Sequence, residues 1–361
     1  MSDSKMKIRS AVRRNHAESY LLISLVAFGV TIIAVRAFLQ ITGFPQIGNS
    51  VLHIAHAIWG GLLLFIAVLL PLIFSNRWAI QASALLSGIG FGLFIDEVGK
   101  FITQTNDYFF PPALSIIYVI FLITLVLYLY LRRPQEDDPR AAMYHALDGL
   151  KDALDGDMDT AEAARIEILL AVARESDRED VVVLAEAIAS FLSSQSKHLV
   201  EASPGFWRQI TLRIDNIGKR VGRPLHRHII SGILLLFTLL AIGYVVIIAI
   251  QRPSLDQHVV QWRSVLLTLE LVFGVLLVLA TAAWLSGNER RGLRFALAGF
   301  IFSLVALQSI YLFLSQFQAV TFTLIQFLCL MIFLAYRRWY LQPETVVVDN
   351  ASSAQQLSAE S

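Results

Sequence analysis

The sequence predicts an all-α, polytopic integral membrane protein with eight transmembrane helices, arranged as two diverged four-helix halves with a cytoplasmic helical insertion between them. Of its 361 residues, 56% are hydrophobic and only 16% are charged, whereas about a quarter of a soluble domain is charged. The charge deficit is concentrated in stretches of about 20 residues, the length that crosses a bilayer core as a helix. The basic residues, in turn, cluster in alternate connections between these stretches, which is typical of membrane topology.

The first half is predicted to follow a basic cytoplasmic tail, residues 1–19, and to occupy residues 20–132. The apolar run after the tail is too long for the core of a signal peptide, and no small-residue cleavage site follows it. We therefore expect this run to be a retained helix. The spans of this half are predicted at 20–42, 51–74, 78–100 and 113–131.

The second half is predicted at residues 228–338 and ends in a disordered C-terminal tail, 339–361. Its apolar runs have the same length as those of the first half, so each is predicted to cross the bilayer once. The spans of this half are predicted at 228–250, 264–285, 294–314 and 318–336.

Residues 133–203 form an acidic segment between the halves, and its apolar residues recur at helical spacing. Asp159 is followed three residues later by Glu162, the pattern of a capping box at a helix start. We expect three or four short helices, with helical spacing shown by Ala146, Leu147, Leu150 and Leu154 and with Leu169, Leu170 and Val172 as core candidates. Such a domain, at 134–203, is also a candidate surface for a cytoplasmic protein partner.

Residues 204–227 are basic and amphipathic. Their apolar stripe consists of Phe206, Ile210, Ile214, Ile217 and Val221. This pattern is typical of a helix that lies in the headgroup plane and binds anionic lipid, although an ordinary surface helix of the domain has the same periodicity.

The distribution of lysine and arginine predicts the orientation in the membrane. Basic residues occupy the N-terminal tail and the connections after the second, fourth, sixth and eighth predicted spans, which all lie on one side. Loops 43–50 and 315–318 carry none, while Arg252 and Arg263 near the fifth-to-sixth connection are a minor exception. The N-terminus, the acidic domain and the C-terminus are therefore predicted to be cytoplasmic.

Composition and motifs exclude several classes of function. The formal net charge is +1, so no nucleic-acid partner is expected. Cys329 is the single cysteine and cannot form an intramolecular disulfide. The glycine-rich run that starts at Gly88 lies inside a predicted span, without the strand and turn that a nucleotide-binding loop needs.

The two halves align as a weak internal repeat. Residues 50–60 match 264–274, each at the start of the second span of its half, and Arg77 matches Arg291. In this alignment His56 corresponds to Glu270, and Lys100 corresponds to Tyr311. Since each half has an even number of spans, the copies would share one orientation, as in the parallel repeats of some transporters.

Ionisable residues converge at the outer ends of three predicted spans. Arg36 lies near the end of the first span, the two histidines begin the second, and an Asp-Glu-x-x-Lys sequence ends the third. Ionisable groups at membrane depth are costly and usually face a protein interior or a water-filled cavity. The candidate binding residues are Arg36, His53, His56, Asp96, Glu97, Lys100 and Asp107. We expect Asp96, Glu97 or both to compensate the charge of Lys100, and Glu97 to face the histidines of the second span.

Several interpretations of these residues remain open at this point. They could simply end their helices at the water boundary, with Asp96 and Lys100 as a local ion pair. They could bind a solute, an ion or a proton in a transporter-like protein, with histidine as the titrating group. A third interpretation is a divalent metal such as zinc, held by His53, His56 and Glu97 or Asp96 in a metal-dependent intramembrane lipid hydrolase; no other cofactor is expected. A fourth is a membrane scaffold that acts through its cytoplasmic domain.

The segment from His53 to Pro112 resembles that of uncharacterised bacterial multi-pass membrane proteins. The resemblance rests on the sequence from Phe91 to Thr103, which contains the Asp-Glu-x-x-Lys pattern, and on Asn106-Asp-Tyr-Phe-Phe. It covers about 60 of the 361 residues. The resemblance implies a location in the bacterial plasma (inner) membrane and supports the choice of site, but it implies no activity.

Overall fold

The computed structural model describes residues 11–43, 55–105, 107–108, 110–132, 138–155, 158–195, 213, 216, 222–250 and 257–341. Their regular elements are helices. In chain order these are α1 (Ala17–Thr42), α2 (His56–Ile73), α3 (Arg77–Asp96), α4 (Val98–Ile102), α5 (Pro112–Leu131), α6 (Pro139–Asp155), α7 (Thr160–Ala173), α8 (Glu179–Gln195), α9 (Arg223–Ile250), α10 (Gln257–Leu285), α11 (Glu289–Phe302), a π-helical turn (Ser303–Leu307), α12 (Gln308–Tyr336) and a second π-helical turn (Arg337–Leu341).

Within the described residues, eight helical stretches are long and apolar enough to cross a membrane. Five of them lie in α1, α2, α3, α5 and α9, and a sixth lies in α10. The last two are Glu289–Leu314 and Ala319–Leu341. The prediction of an all-helical chain with eight candidate spans is therefore confirmed. The third span ends earlier than predicted, because α3 stops at Asp96 and a short helix follows Glu97.

Helix α12 reverses direction between its two candidate spans. The hydroxyl of Thr323 donates to Oε1 of Gln308 over 3.0 Å, whereas a straight helix would separate these residues by roughly 22 Å at 1.5 Å per residue. The side chains of Ser303 and Gln326 also bond to each other, at 3.1 Å and 3.0 Å. The chain thus reverses direction between Gln308 and Thr323, the segment in which the sequence predicted a loop.

The chain divides into two compact units, residues 1–113 with 119–205 and residues 114–118 with 206–361. In the first unit, the third span α3 packs against both α1 and α2. In the second unit, the second span α10 packs against both α9 and α11. Because the packing centre falls on different spans, the similarity of the halves is not evident in their packing, and the repeat stays a prediction.

Helices α6, α7 and α8, in the segment predicted as a helical domain, pack around a common core within the first unit; we call them the helical domain. Its buried core is Ala142, Met143, Ala146, Met158, Ile166, Leu170, Ala173, Ala185, Ile188 and Leu192. The capping box is confirmed, since Asp159 accepts from the backbone N–H of Glu162 and the Glu162 side chain accepts from the N–H of Asp159. The predicted core positions are confirmed, since Leu170 is fully buried and Leu169 and Val172 pack against this core. Leu147 and Leu154 of the helical-spacing pattern are 43% and 81% exposed.

Replacing Asp159 by Ala is expected to lower the free energy of unfolding of this domain by about 1 kcal/mol, the usual cost of losing an N-terminal cap. The loss should appear as a lower midpoint when the helical signal of the full chain is followed during unfolding in detergent. Glu175→Ala is the matched control, because Glu175 is exposed in the turn after α7. An equal midpoint for both variants would contradict the stabilising role of the cap.

The helical domain contacts the spans of its own unit. Arg77, the first residue of α3, pairs with Glu162 over 2.7 Å. A ring nitrogen of His145 lies 2.8 Å from the carbonyl oxygen of Arg13, in the tail before α1. The helical domain therefore contacts the start of α3 and the tail before α1. A protein partner for this domain stays a prediction.

Several sequence predictions lie outside the described residues. These include His53, the loop 44–54, the C-terminal tail from 342 onward and most of the predicted interfacial helix, for which only 213, 216 and 222–227 are described. Binding of anionic lipid by that helix stays a prediction.

Candidate functional site

Close helix crossings in the first unit position the candidate site. A Cβ atom added at Gly60 of α2 would lie 2.6 Å from the carbonyl oxygen of Gly90 in α3, and one added at Gly88 would lie 2.3 Å from the carbonyl oxygen of Ser24 in α1. Only glycine lets the three backbones approach this closely. The end of α1, the start of α2 and the end of α3 are thereby held together.

Asp96 is the centre of the site and is fully buried. Nε of Arg36 donates to its Oδ1 over 2.6 Å, and the hydroxyl of Tyr108 donates to its Oδ2 over 2.5 Å. Arg36, at 5% exposure, is nearly as buried as its partner. The two charges compensate each other in a position where either alone would be costly.

His56 lies between two carboxylates. Its Nδ1 is 3.0 Å from Oε1 of Glu97, and its Nε2 is 3.2 Å from Oδ2 of Asp96. The second contact lacks hydrogen-bond geometry, so Nε2 has no hydrogen-bond partner. Nζ of Lys100 donates to the same Oε1 of Glu97 over 3.1 Å.

Tyr108 covers this group of charges and is a site residue that sequence analysis missed. Its ring lies 5.3 Å from the guanidinium of Arg36 and 5.4 Å from the ammonium of Lys100, as cation–π contacts. Burial, and next the charge of Asp96, raise the pKa of the Tyr108 hydroxyl, which keeps it a donor to that carboxylate. The chain around Tyr108 packs on Gly99, where an added Cβ would lie 2.6 Å from the carbonyl oxygen of Asp107.

We call this group the polar cluster; it consists of Arg36, His56, Asp96, Glu97, Lys100 and Tyr108. Three of its buried polar atoms have no hydrogen-bond partner in the structure, namely Nη2 of Arg36, Nε2 of His56 and Oε2 of Glu97. Buried polar atoms are nearly always hydrogen-bonded. The polar cluster therefore has unused capacity for one or more ligand or water contacts.

The structure brings together five of the seven predicted site residues. The helix breaks at Glu97, and Glu97 contacts both Lys100, over 3.1 Å, and His56, over 3.0 Å. The expectation that a neighbouring carboxylate compensates Lys100 is therefore confirmed, as is the expected contact between Glu97 and a histidine of the second span. Asp107 is half-buried in the following loop, where its backbone N–H donates to the hydroxyl of Thr103 over 2.7 Å. His53 lies outside the described residues.

The described residues do not form a recognisable metal site. Among them, no group of three or more His, Cys, Asp or Glu side chains is arranged to hold a metal ion. Arg36 and Lys100 also bond to the carboxylates that a metal would need, over 2.6 Å and 3.1 Å. Two positive charges so close to these carboxylates oppose the binding of a divalent cation. The zinc prediction includes His53 and stays untested.

Comparison with protein-family models, with curated proteins and with solved structures gave no match.

Proposed function

We propose that this chain is a proton-linked carrier of small anions in a bacterial plasma membrane, and that His56 is the group that binds the proton. The supporting observation is that both ring nitrogens of His56 lie within 3.2 Å of carboxylate oxygens, on Asp96 and Glu97. A neutral imidazole has one N–H, so its unprotonated ring nitrogen would face a carboxylate oxygen although both atoms are acceptors. A protonated ring offers a donor to both carboxylates.

The charges of the polar cluster support an anion as the second ligand. With His56 neutral, Arg36 and Lys100 balance Asp96 and Glu97. Protonation of His56 leaves one positive charge in excess, in a setting where an uncompensated charge costs at least about 2.5–3.5 kcal/mol. A carboxylate that accepts from the unpartnered Nη2 of Arg36 would compensate this charge. The proton and the anion are thus expected to bind together.

The unpartnered Oε2 of Glu97 narrows the class of anion. A carboxylate oxygen accepts hydrogen bonds only, so this atom favours a ligand that also carries a donor. A small carboxylate with a hydroxyl or amino group meets both requirements. Such a ligand would contact Arg36 through its carboxylate and Glu97 through its donor.

The orientation that the basic residues predict is part of the proposal. The polar cluster would face the outer side, and the helical domain and both termini would lie in the cytoplasm. Support comes from the first unit, in which Arg13 and Arg77 lie at the end that contacts the helical domain, opposite the end of α3 that carries Asp96. Basic residues are typical of the cytoplasmic side.

We further propose that the second half is a diverged copy that lost its site. At the positions aligned with His56 and Lys100, the carboxylate of Glu270 accepts from the hydroxyl of Tyr311. Corresponding positions on the second and third spans are thus joined by polar contacts in both halves, through Glu97 in the first. The second half keeps the contact but not the pairs of opposite charge.

Replacing His56 by Gln is expected to reduce proton-coupled anion uptake at least tenfold, because Gln preserves a donor and an acceptor but cannot gain a proton. The full chain is reconstituted in liposomes that contain a pH-sensitive dye. An inward gradient of gluconate, a hydroxylated carboxylate that crosses lipid poorly, should acidify the lumen when the wild-type chain is present.

The matched control is His228→Gln, because His228 is exposed on α9 and should leave the rate unchanged. Two results would contradict the proposal: an undiminished rate for His56→Gln, or no acidification by the wild-type chain with gluconate or with the shorter hydroxy acid glycerate. Thermal unfolding of each variant shows whether a lost rate reflects a lost fold.

A further inference from the structure

A second polar site lies in the first unit, at the end of the spans opposite the polar cluster. It is a partly open cavity of about 40 Å³ where the tail before α1, the connection between α2 and α3, and helices α6 and α7 meet. A buried water needs at least about 10–15 Å³ of such volume, so the cavity holds roughly three waters. That is the size of the oxygens of one phosphoryl group.

The charged side chains around this cavity do not balance. Its two carboxylates are already paired, Glu162 with Arg77 over 2.7 Å and Asp148 with Lys151 over 2.8 Å. Arg165 is solvent-exposed and also lines the cavity. Among the described residues its contact is with Nε2 of His16 over 3.2 Å rather than with a carboxylate. The cavity therefore has one cation in excess.

His16 reports the same positive environment. Burial, and next the charges of Arg77 and Arg165, lower the pKa of its ring. His16 has a φ of 57°, a left-handed conformation that few non-glycine residues adopt and that is commoner at ligand-binding sites. This conformation directly precedes α1, so a ligand that contacts His16 would act at the start of the first span.

We propose that this cavity binds a phosphoryl group, with Arg165 and His16 as its principal contacts and Arg77 and Lys151 at its edge. A guanidinium donates two parallel hydrogen bonds to phosphate oxygens. Once His16 is released from Arg165 and protonated, its ring adds a further donor. The ligand would link the tail, the spans and the helical domain, because each contributes a residue to the cavity.

Two sources of the phosphoryl group are distinguishable by experiment. Tyr20 and Ile80 belong to spans α1 and α3 and also line the cavity, so a phospholipid headgroup has access from the membrane. A soluble phosphate has access from the side of the helical domain. Both sources present the same oxygens to Arg165, so the proposed site accepts a phosphoryl group from either one.

The test uses the full chain, purified in phosphate-free detergent, with Arg165→Gln as the variant. Titration with inorganic phosphate should give one site per chain, weakened at least tenfold in the variant, and should raise the pKa of His16 followed by NMR. If lipid is the source, native mass spectrometry should instead retain one phosphatidylglycerol per wild-type chain and none in the variant.

Arg174→Gln is the control, because Arg174 is exposed at the end of the same helix and does not line the cavity. Arg165→Lys should bind with intermediate affinity, since it keeps the charge and loses the planar fork. The proposal is overturned if neither phosphate nor phosphatidylglycerol binds, or if Arg174→Gln weakens binding as much as Arg165→Gln. His56→Gln should leave this binding intact, so failure here is separate from failure of the carrier.

Discussion

Replacing Asp96 by Asn is expected to lower the free energy of unfolding by about 3–5 kcal/mol, the typical cost of removing one partner of a buried ion pair. Asp96 is fully buried and Arg36 is 5% exposed. The guanidinium of Arg36 would keep its charge but lose the carboxylate that now lies 2.6 Å away. Tyr108 would also lose an ionised acceptor. The midpoint of thermal or denaturant unfolding of the full chain in detergent measures the loss.

The double variant Arg36→Gln/Asp96→Asn separates pairing from packing. If pairing dominates, the double variant should unfold at a higher midpoint than Asp96→Asn alone, because no buried charge is left without a partner. Asp148→Asn is the matched control, since Asp148 also pairs with a basic residue but is partly exposed. Such surface pairs contribute at most about 1 kcal/mol. A loss for Asp96→Asn no greater than for Asp148→Asn would refute the buried pair.

The spans could be predicted from sequence because bilayer thickness imposes one length on every apolar helix. The location of the site followed from topology, since alternate spans bring the end of α1, the start of α2 and the end of α3 to one side. The capping box was predictable for a local reason, as both of its partners lie within four residues. Each of these predictions depends on short-range pattern or on simple alternation of direction.

The bond between Arg36 and Asp96 and the role of Tyr108 could not be predicted in the same way. Hydropathy gives the depth of a residue but not the rotation of its helix, so the bond between Arg36 and Asp96, 60 residues apart, carries no sequence signal. Helical spacing suggested Asp96 with Lys100, but this assumed a continuous helix through Glu97. Tyr108 was passed over in favour of its neighbour Asp107, because tyrosine near a membrane surface is common without a specific role.

The glycines that join the spans are the strongest determinants of the site's geometry. Replacing Gly60 by Ala is expected to lower the free energy of unfolding by about 3 kcal/mol, the upper part of the usual range for overpacking. The added Cβ would lie 2.6 Å from both the carbonyl oxygen of Gly90 and the backbone nitrogen of Phe94. Since both contacts are backbone atoms, no side chain can rotate away, and unfolding in detergent should show the loss.

Gly61→Ala is the matched control, because the neighbouring residue of the same helix has no atom within 4 Å of an added Cβ. In that position alanine should be neutral or slightly stabilising, since alanine has a higher helix propensity than glycine.

The two substitutions also differ in their effect on the polar cluster. Gly60 lies four residues after His56 on the same face of α2, so separating α2 from α3 would move His56 away from Glu97. Gly60→Ala should therefore impair both stability and proton-coupled uptake, and Gly61→Ala neither. Equal stability of the two variants would mean that α2 and α3 do not cross at Gly60 and Gly90.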